Sequence, residues 1–440
     1  MRILFYFTAF CLGLTSCSPK EKKEVSISIL TDQNILHQNM EQLTQVIIQD
    51  IFSPPVSSRI YCYTSLAAYE AIKFDDPLYN PLTDRLNGFA AMPVPEKDKK
   101  YNFLLAATKA FFTVAQKITF SKDSLLKYQN TLYPQFEALL EKETFDRSLK
   151  FGDSIGNKIL ERTTIDQYKE TRGMPKFLGS NDPGKWRPTP PDYLDAAEPS
   201  WSKIKPLLLD SATQIKCPAP PVYNENKNSA FYKTANEVYA ITTNLTDEQR
   251  AIAKYWDDNP FVIEHSGHLM FGNKKITPVG HWIGITTIAC KKTNADAVKT
   301  AQAYALTSIA MFDVIISCWE TKYSYNHIRP ITFINEFIDR NWQPFLQTPP
   351  FPEHSSGHSG ISASAATVLT SIFGDNFGFE DTSDLKYIGM KRTFQSFMQA
   401  ADEASISRVY GGIHYRTGVD AGAVQGREVG QNIIEKLMIR

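Results

Sequence analysis

Residues 319–330 read WETKYSYNHIRP, and FPEHSSGHSG follows at 351–360. Lys322 and Arg329 stand seven positions apart, almost two helical turns, so on a helix ending at Pro330 both side chains leave one face. A lone Lys/Arg pair is most often a solvated basic face. Trp319, Tyr323, Tyr325, Ile328 and Pro330 do not suit such a face, and the acidic neighbour on offer is Glu320. Two cations side by side among aromatic residues call for an anion between them.

The second stretch, TPPFPEHSSGHSGISASAATVLTSIF, starts with prolines that forbid helix through residue 352 and continues as a clear helical run. Such a junction offers free backbone N–H groups and the positive end of a helix dipole, a seat for an oxyanion. Ser356 adds a hydroxyl, Gly357 permits close backbone approach, and His358 carries a proton near neutral pH. A third stretch, ISRVYGGIHYRTGVDAG at 406–422, supplies Arg408 and His414. A single His of this kind is most often a satisfied core residue. Together the three stretches hold one Lys, two Arg, a Ser–Gly helix start and two His, which is what a tetrahedral oxyanion requires: neutralising charge, donors for its peripheral oxygens, one axial imidazole and one acid/base.

Lys322-x6-Arg329-Pro330, Ser355-Ser356-Gly357-His358 and Ser407-Arg408-x5-His414, in that order, resemble the three-part signature of the vanadium haloperoxidase and type 2 phosphatidic acid phosphatase superfamily. The resemblance implies an all-α fold of two helical bundles. It assigns Lys322, Arg329, Ser356, Gly357 and Arg408 to the peripheral oxygens of vanadate or phosphate, His414 to the axial vanadium bond or to nucleophilic attack on phosphate, and His358 to acid/base work. Two departures stand out. Ser355 replaces the family's Pro, and Gly418 replaces an Asp expected four residues after His414, the nearest Asp being Asp420. His327, beside the first motif, has no counterpart in the signature.

Between the two chemistries, Trp319 and Phe351 stand at spacings that resemble the halide-pocket residues of haloperoxidases, and His354 is a further candidate for that pocket. The expected reaction is oxidation of a halide by hydrogen peroxide at vanadate, a Lewis acid that keeps its oxidation state. The alternative is an acid phosphatase that cleaves phosphate monoesters through a phosphohistidine at His414. A third class is a helical surface lipoprotein that binds a ligand at a vestigial oxyanion site.

The remaining sequence is consistent with an exported protein. MRILFYFTAFCLGLTSC has a basic start, a short apolar run and small residues before Cys17, a secretory signal whose ending resembles a lipobox. Residues 1–16 are the expected signal peptide, Cys17 the expected acylated residue, and 17–30 a polar tether; the expectation is a protein anchored to a bacterial membrane, in the periplasm or at the cell surface. No second segment is expected to be long and apolar enough to span. Lys plus Arg (47) equals Asp plus Glu (47), so no global field recruits nucleic acid. Cys62, Cys217, Cys290 and Cys318 form no CxxC pair and are expected in the core.

Helical periodicity dominates: 57–74 with a cap at Ser57 or Ser58, then 100–118, 122–142, 145–163, 228–258 with a capping box from Thr246 to Gln249, 294–326, 362–374, 390–411 and 423–440. The run from 164 to 226, rich in Pro, Gly and Trp, reads as an ordered cover. The chain thus divides into an N-terminal helical half (31–226) and a C-terminal catalytic half (227–440). IEHSGHLMFG at 263–272 echoes PEHSSGHSG but does not extend into a repeat.

Overall fold

The computed structural model describes residues 26–438, apart from 261, 267–268 and 273–274 and the side chains of 263–266 and 269–272. Cys17 and the signal peptide lie outside the described residues, as does the start of the expected tether. Its end does not trail free: Ile27–Leu30 forms a 3₁₀ turn, and Asn102 Nδ2 donates to Leu30 O at 2.8 Å.

The first half contributes α1 (Asn34–Gln49), α2 (Pro54–Ile72), α3 (Phe103–Ile118), α4 (Lys122–Glu137), α5 (Lys142–Thr163) and the single turn α6 (Tyr168–Thr171). The second contributes α7 (Ala230–Thr243), α8 (Asp247–Tyr255), α9 (Pro278–Lys292), α10 (Ala297–Tyr325), α11 (Pro330–Phe337), α12 (Gly357–Phe373), α13 (Leu385–Ile388), α14 (Phe397–Tyr410) and α15 (Arg416–Leu437). Two antiparallel hairpins complete the described residues: β1 (Ile263–Ser266) with β2 (Leu269–Gly272), and β3 (Phe379–Asp381) with β4 (Arg392–Phe394). The fold is all-α, as expected.

Local chemistry sets the boundaries. α2 starts earlier than its periodicity suggests, because Ser53 caps it and Pro54 and Pro55 occupy its first turn, where the missing N–H groups cost nothing. All of its side chains are buried, Ser57 and Ser58 included. The capping box of Thr246 and Gln249 is formed, and it splits 228–258 into α7 and α8. The run 390–411 is not one helix: Ser396 Oγ accepts the Gln399 N–H at 3.1 Å and starts α14 there, leaving Arg392–Phe394 to pair as a strand.

α10 packs against α2 and α1 of the first half and against α12, α15 and α9 of the second, so both helical halves share one continuous core. By length and composition α10 could cross a membrane, contrary to the expectation that no second segment would, but 94% of its most apolar window is buried inside the fold. The 164–226 segment is ordered. Leu207, Leu208 and Leu209 donate backbone N–H groups to the fully buried Asp313 carboxylate of α10 at 2.8, 2.8 and 2.9 Å. Further along, Ala197 O accepts from Trp319 Nε1 at 3.3 Å and Tyr323 OH at 2.8 Å.

A stripe of glycines joins α12 to α15. Gly422, Gly426 and Gly430 face α12 so closely that a Cβ on Gly422 would lie 2.4 Å from Ser356 O and one on Gly426 2.3 Å from Gly360 O. The N-terminus of α12 is thereby held against α15. Cys62, Cys290 and Cys318 are buried and Cys217 half-buried, all four as free thiols.

Candidate oxyanion site

Lys322 and Arg329 converge, but not along one helix. α10 ends at Tyr325; Asn326 turns left-handed (φ 49°), the chain runs on through His327 and Ile328, and Arg329 caps α11, which starts at Pro330. The 164–226 cover fixes this turn, since Trp186 N donates to Asn326 O and Ile328 N to Gly184 O, both at 3.0 Å. The convergence comes from a reversal, which spacing alone could not reveal.

Lys322, Arg329 and Arg408 are all fully buried. Lys322 Nζ donates to the carbonyls of Pro352, Glu353 and Ser355 at 3.0, 3.0 and 2.5 Å, folding the 352–356 turn around its ammonium. Arg329 Nε donates to Phe351 O at 2.8 Å and Nη1 to Ile413 O at 2.6 Å. Arg408 reaches Trp256 O and, at 3.3 Å, Asp257 O. Burial lowers all three cations: Lys322 to about 8, and Arg329 and Arg408 to about 10 each.

α12 begins at Gly357, five residues before the expected 362, with Ser356 as its N-cap. His358 Nε2–H donates to Asp257 O at 3.2 Å, leaving Nδ1 as its proton acceptor. Burial, then Arg408, hold His358 well below the usual histidine range. His414 lies just before α15; its Nε2 accepts from Arg329 Nη1 at 3.2 Å while its Nδ1–H donates to Glu353 Oε1 at 2.7 Å. Burial and Arg329 push His414 down to about 3, so the ring is neutral with an Nε2 lone pair.

Two further features escaped the sequence reading. One is Glu353, a fully buried carboxylate in the 352–356 turn; burial would raise it, but hydrogen bonds from His327 and His414 hold it well below the usual range. Asp420, the nearest Asp to the expected position, is exposed on α15. The other is a buried cluster behind Trp256–Asp258. His281 Nδ1 pairs with Asp258 and Nε2 with Asp381, each at 2.9 Å, and its ring stacks on Trp256 with centroids 4.4 Å apart. Burial alone would lower His281, but the two carboxylates raise it well above the usual range. This imidazolium clamp holds the segment whose carbonyls receive Arg408 and His358.

A cavity opens onto Gly357, His358, Arg408 and His414, with Trp319 and Phe351 as aromatic wall and Pro54, Pro260, Pro278 and Pro349 around it. The Trp319 and Phe351 rings lie 5.2 Å apart, and Phe351 faces Lys322 Nζ at 4.9 Å and Arg329 Cζ at 5.1 Å. His354 does not line this cavity. It points to the cover, its Nε2 donating to Pro218 O at 2.8 Å.

Vanadate fits these residues. Lys322 and Arg329 share the ionised Glu353, Arg408 lies near Asp257 and Asp258, and Arg329 Nη2, buried, has no hydrogen-bond partner among the described residues. A neutral imidazole with its Nδ1–H tied back presents a lone pair, as a metal-ligating histidine does.

Residues 302–341 and 335–439 match the family described as the VCPO second helical-bundle domain. Among curated proteins none matches. A bacterial vanadium-dependent iodoperoxidase of solved structure is 45% identical, with a TM-score of 0.88 over 94% of this chain and 98% of that one. The holo and apo structures of a bacterial vanadium-dependent chloroperoxidase share the fold at TM-score 0.66, with 16% and 17% identity over 88% of this chain and 93% and 94% of theirs. An oxyanion site of this composition, on a chain that matches the iodoperoxidase nearly end to end, identifies the protein as a member of the vanadium-dependent haloperoxidase family.

Proposed function

We propose that this haloperoxidase uses hydrogen peroxide to oxidise iodide in preference to bromide or chloride. The observation that carries the reading is 45% identity to an iodoperoxidase over 94% of the chain. The cavity supports it: Trp319, Phe351, Ile361, Ile413 and four prolines make up most of a wall whose polar side chains are Asp258, Asn259, His358, Arg408 and His414, and the larger the halide entering it, the smaller the cost of stripping its water.

When bound, vanadate supplies a Lewis acid that activates peroxide toward a halide without redox change at the metal. The protein's part follows from its geometry. His414 Nε2 would bind the vanadate; Lys322, Arg329 and Arg408 would neutralise its charge, and the backbone N–H of Gly357 at the helix start would donate to it, the Ser356 N–H being held by Gly418 O. His358, neutral at neutral pH, accepts and returns a proton through Nδ1. Trp319 and Phe351 exclude water around the incoming halide.

The test is peroxide-dependent oxidation of iodide and bromide by the protein reconstituted with orthovanadate, with and without phosphate. Turnover that requires vanadate, is competed by phosphate and is fastest with iodide supports the reading. Hydrolysis of a phosphate monoester inhibited by vanadate, with no halide oxidation, replaces it with the phosphatase chemistry. The signal-like N-terminus supports a second proposal, export and acylation at Cys17; palmitate labelling in a bacterial host that persists in Cys17→Ala would sink it.

A further inference from the structure

Glu353 and Gly418 compete for one volume. Glu353 enters from the turn ahead of α12, Gly418 from the first turn of α15. A Cβ built on Gly418 would lie 2.2 Å from Glu353 Oε1, 2.9 Å from Cδ and 3.0 Å from Oε2. No side chain at 418 coexists with the carboxylate where it stands. From that place Oε1 accepts His414 Nδ1–H at 2.7 Å and the Tyr415 backbone N–H at 3.2 Å, while Oε2 takes His327 Nδ1–H at 3.1 Å. Glu353 is itself held from behind, its N–H donating to His327 O and its carbonyl accepting from Lys322, both at 3.0 Å.

We propose that Glu353 and Gly418 form one positioning device: Glu353 fixes the ring and tautomer of His414 so that the Nε2 lone pair faces the oxyanion, and residue 418 is glycine because the carboxylate fills its side-chain space. Glu353 is a positioning residue, acting through His414. Because a short carboxylate at 418 would occupy the same volume, the two positions are exchangeable. The inference rests on the reading of His414 as the vanadate-binding histidine, and its experiment needs no halide turnover.

Wild type, Glu353→Leu, Glu353→Gln, Gly418→Asp and the double variant Glu353→Ala/Gly418→Asp are titrated with vanadate and separately with phosphate by calorimetry. The His414 tautomer is read in the anion-free proteins by nitrogen-15 NMR of labelled histidine. In Glu353→Leu, vanadate affinity falls by about tenfold or more, as when an outer partner of a metal-binding histidine is lost, and His414 loses its Nδ1–H preference. Phosphate affinity does not fall, since deleting a carboxylate beside an anion site removes repulsion. Glu353→Gln, which keeps the shape, shifts the vanadate-to-phosphate ratio the same way by less. Gly418→Asp alone is impaired, and the double variant recovers both the tautomer and most of the vanadate affinity. Glu353→Leu or Glu353→Gln with wild-type tautomer and an unchanged affinity ratio would overturn the proposal, as would a folded double variant no better than Glu353→Leu. Should wild type bind phosphate but not vanadate, the haloperoxidase reading fails instead, and the tautomer measurement still decides the role of Glu353.

Discussion

Lys322 commits its three protons to backbone carbonyls of the turn that carries Glu353 and Ser356. Its role is therefore double: it shapes the turn and adds positive charge to the site. Lys322→Met is expected to weaken vanadate binding by about tenfold or more and to lower the thermal midpoint, because a charged hydrogen bond of this kind is worth about 1.5–3 kcal/mol. With its pKa lowered to about 8, Lys322 is charged below that pH and neutral above it. Anion affinity should accordingly fall as pH rises through about 8, read by calorimetry with phosphate, whose own charge is constant above its second ionisation. Trp319, Lys322, Arg329, Phe351, Ser356, Gly357, His358, Arg408 and His414 could be named from the sequence through the family resemblance of short motifs, which are local signals. Glu353 was not, since its partner His414 lies 61 residues away and only folding brings them together. The bare Gly418, read as a missing Asp, was the available hint. His354 was misjudged because sequence proximity to a motif says nothing about which way a ring turns.

Among the helices, α12 and α15 carry the next expectation. A Cβ at residue 426 would come within 2.3 Å of Gly360 O. Gly426→Ala should force the helices apart, costing about 1–3 kcal/mol and reducing vanadate affinity through displacement of the α12 N-terminus; a melting curve and an anion titration check both. The Asp313 anchor allows a second test. Asp313→Ala strips three buried N–H groups of their acceptor, at roughly 3–5 kcal/mol in sum, and limited proteolysis should then cut near Leu207–Leu209, which these bonds tie to α10 in the wild type. The helices themselves were largely legible, because 3.6-residue periodicity and capping residues are local signals. The partition of 390–411 was not, because a strand of three residues owes its existence to its partner across the hairpin. The glycines at 418, 422, 426 and 430 stand in plain view at helical spacing, but what they face is a tertiary fact.

The imidazolium clamp ties the site to more distant parts of the fold, since His281 joins α9 to Asp258 and to Asp381 of β3. Its folded pKa is raised, so the stability it confers is full below the ordinary histidine pKa and is lost as pH rises through the folded value. His281→Gln should flatten that alkaline loss in thermal unfolding and weaken anion binding, although the side chain touches neither vanadate nor its direct holders. The shared helix α10 has a different consequence. The exposed run near Val222 (88% exposed) lies between the first helical half and everything that follows, yet α10, encoded after it, fills the first half's interior. A chain severed there should behave as a complementing pair: two fragments that are insoluble when expressed apart, assemble when expressed together, and regain halide oxidation without a peptide bond between them.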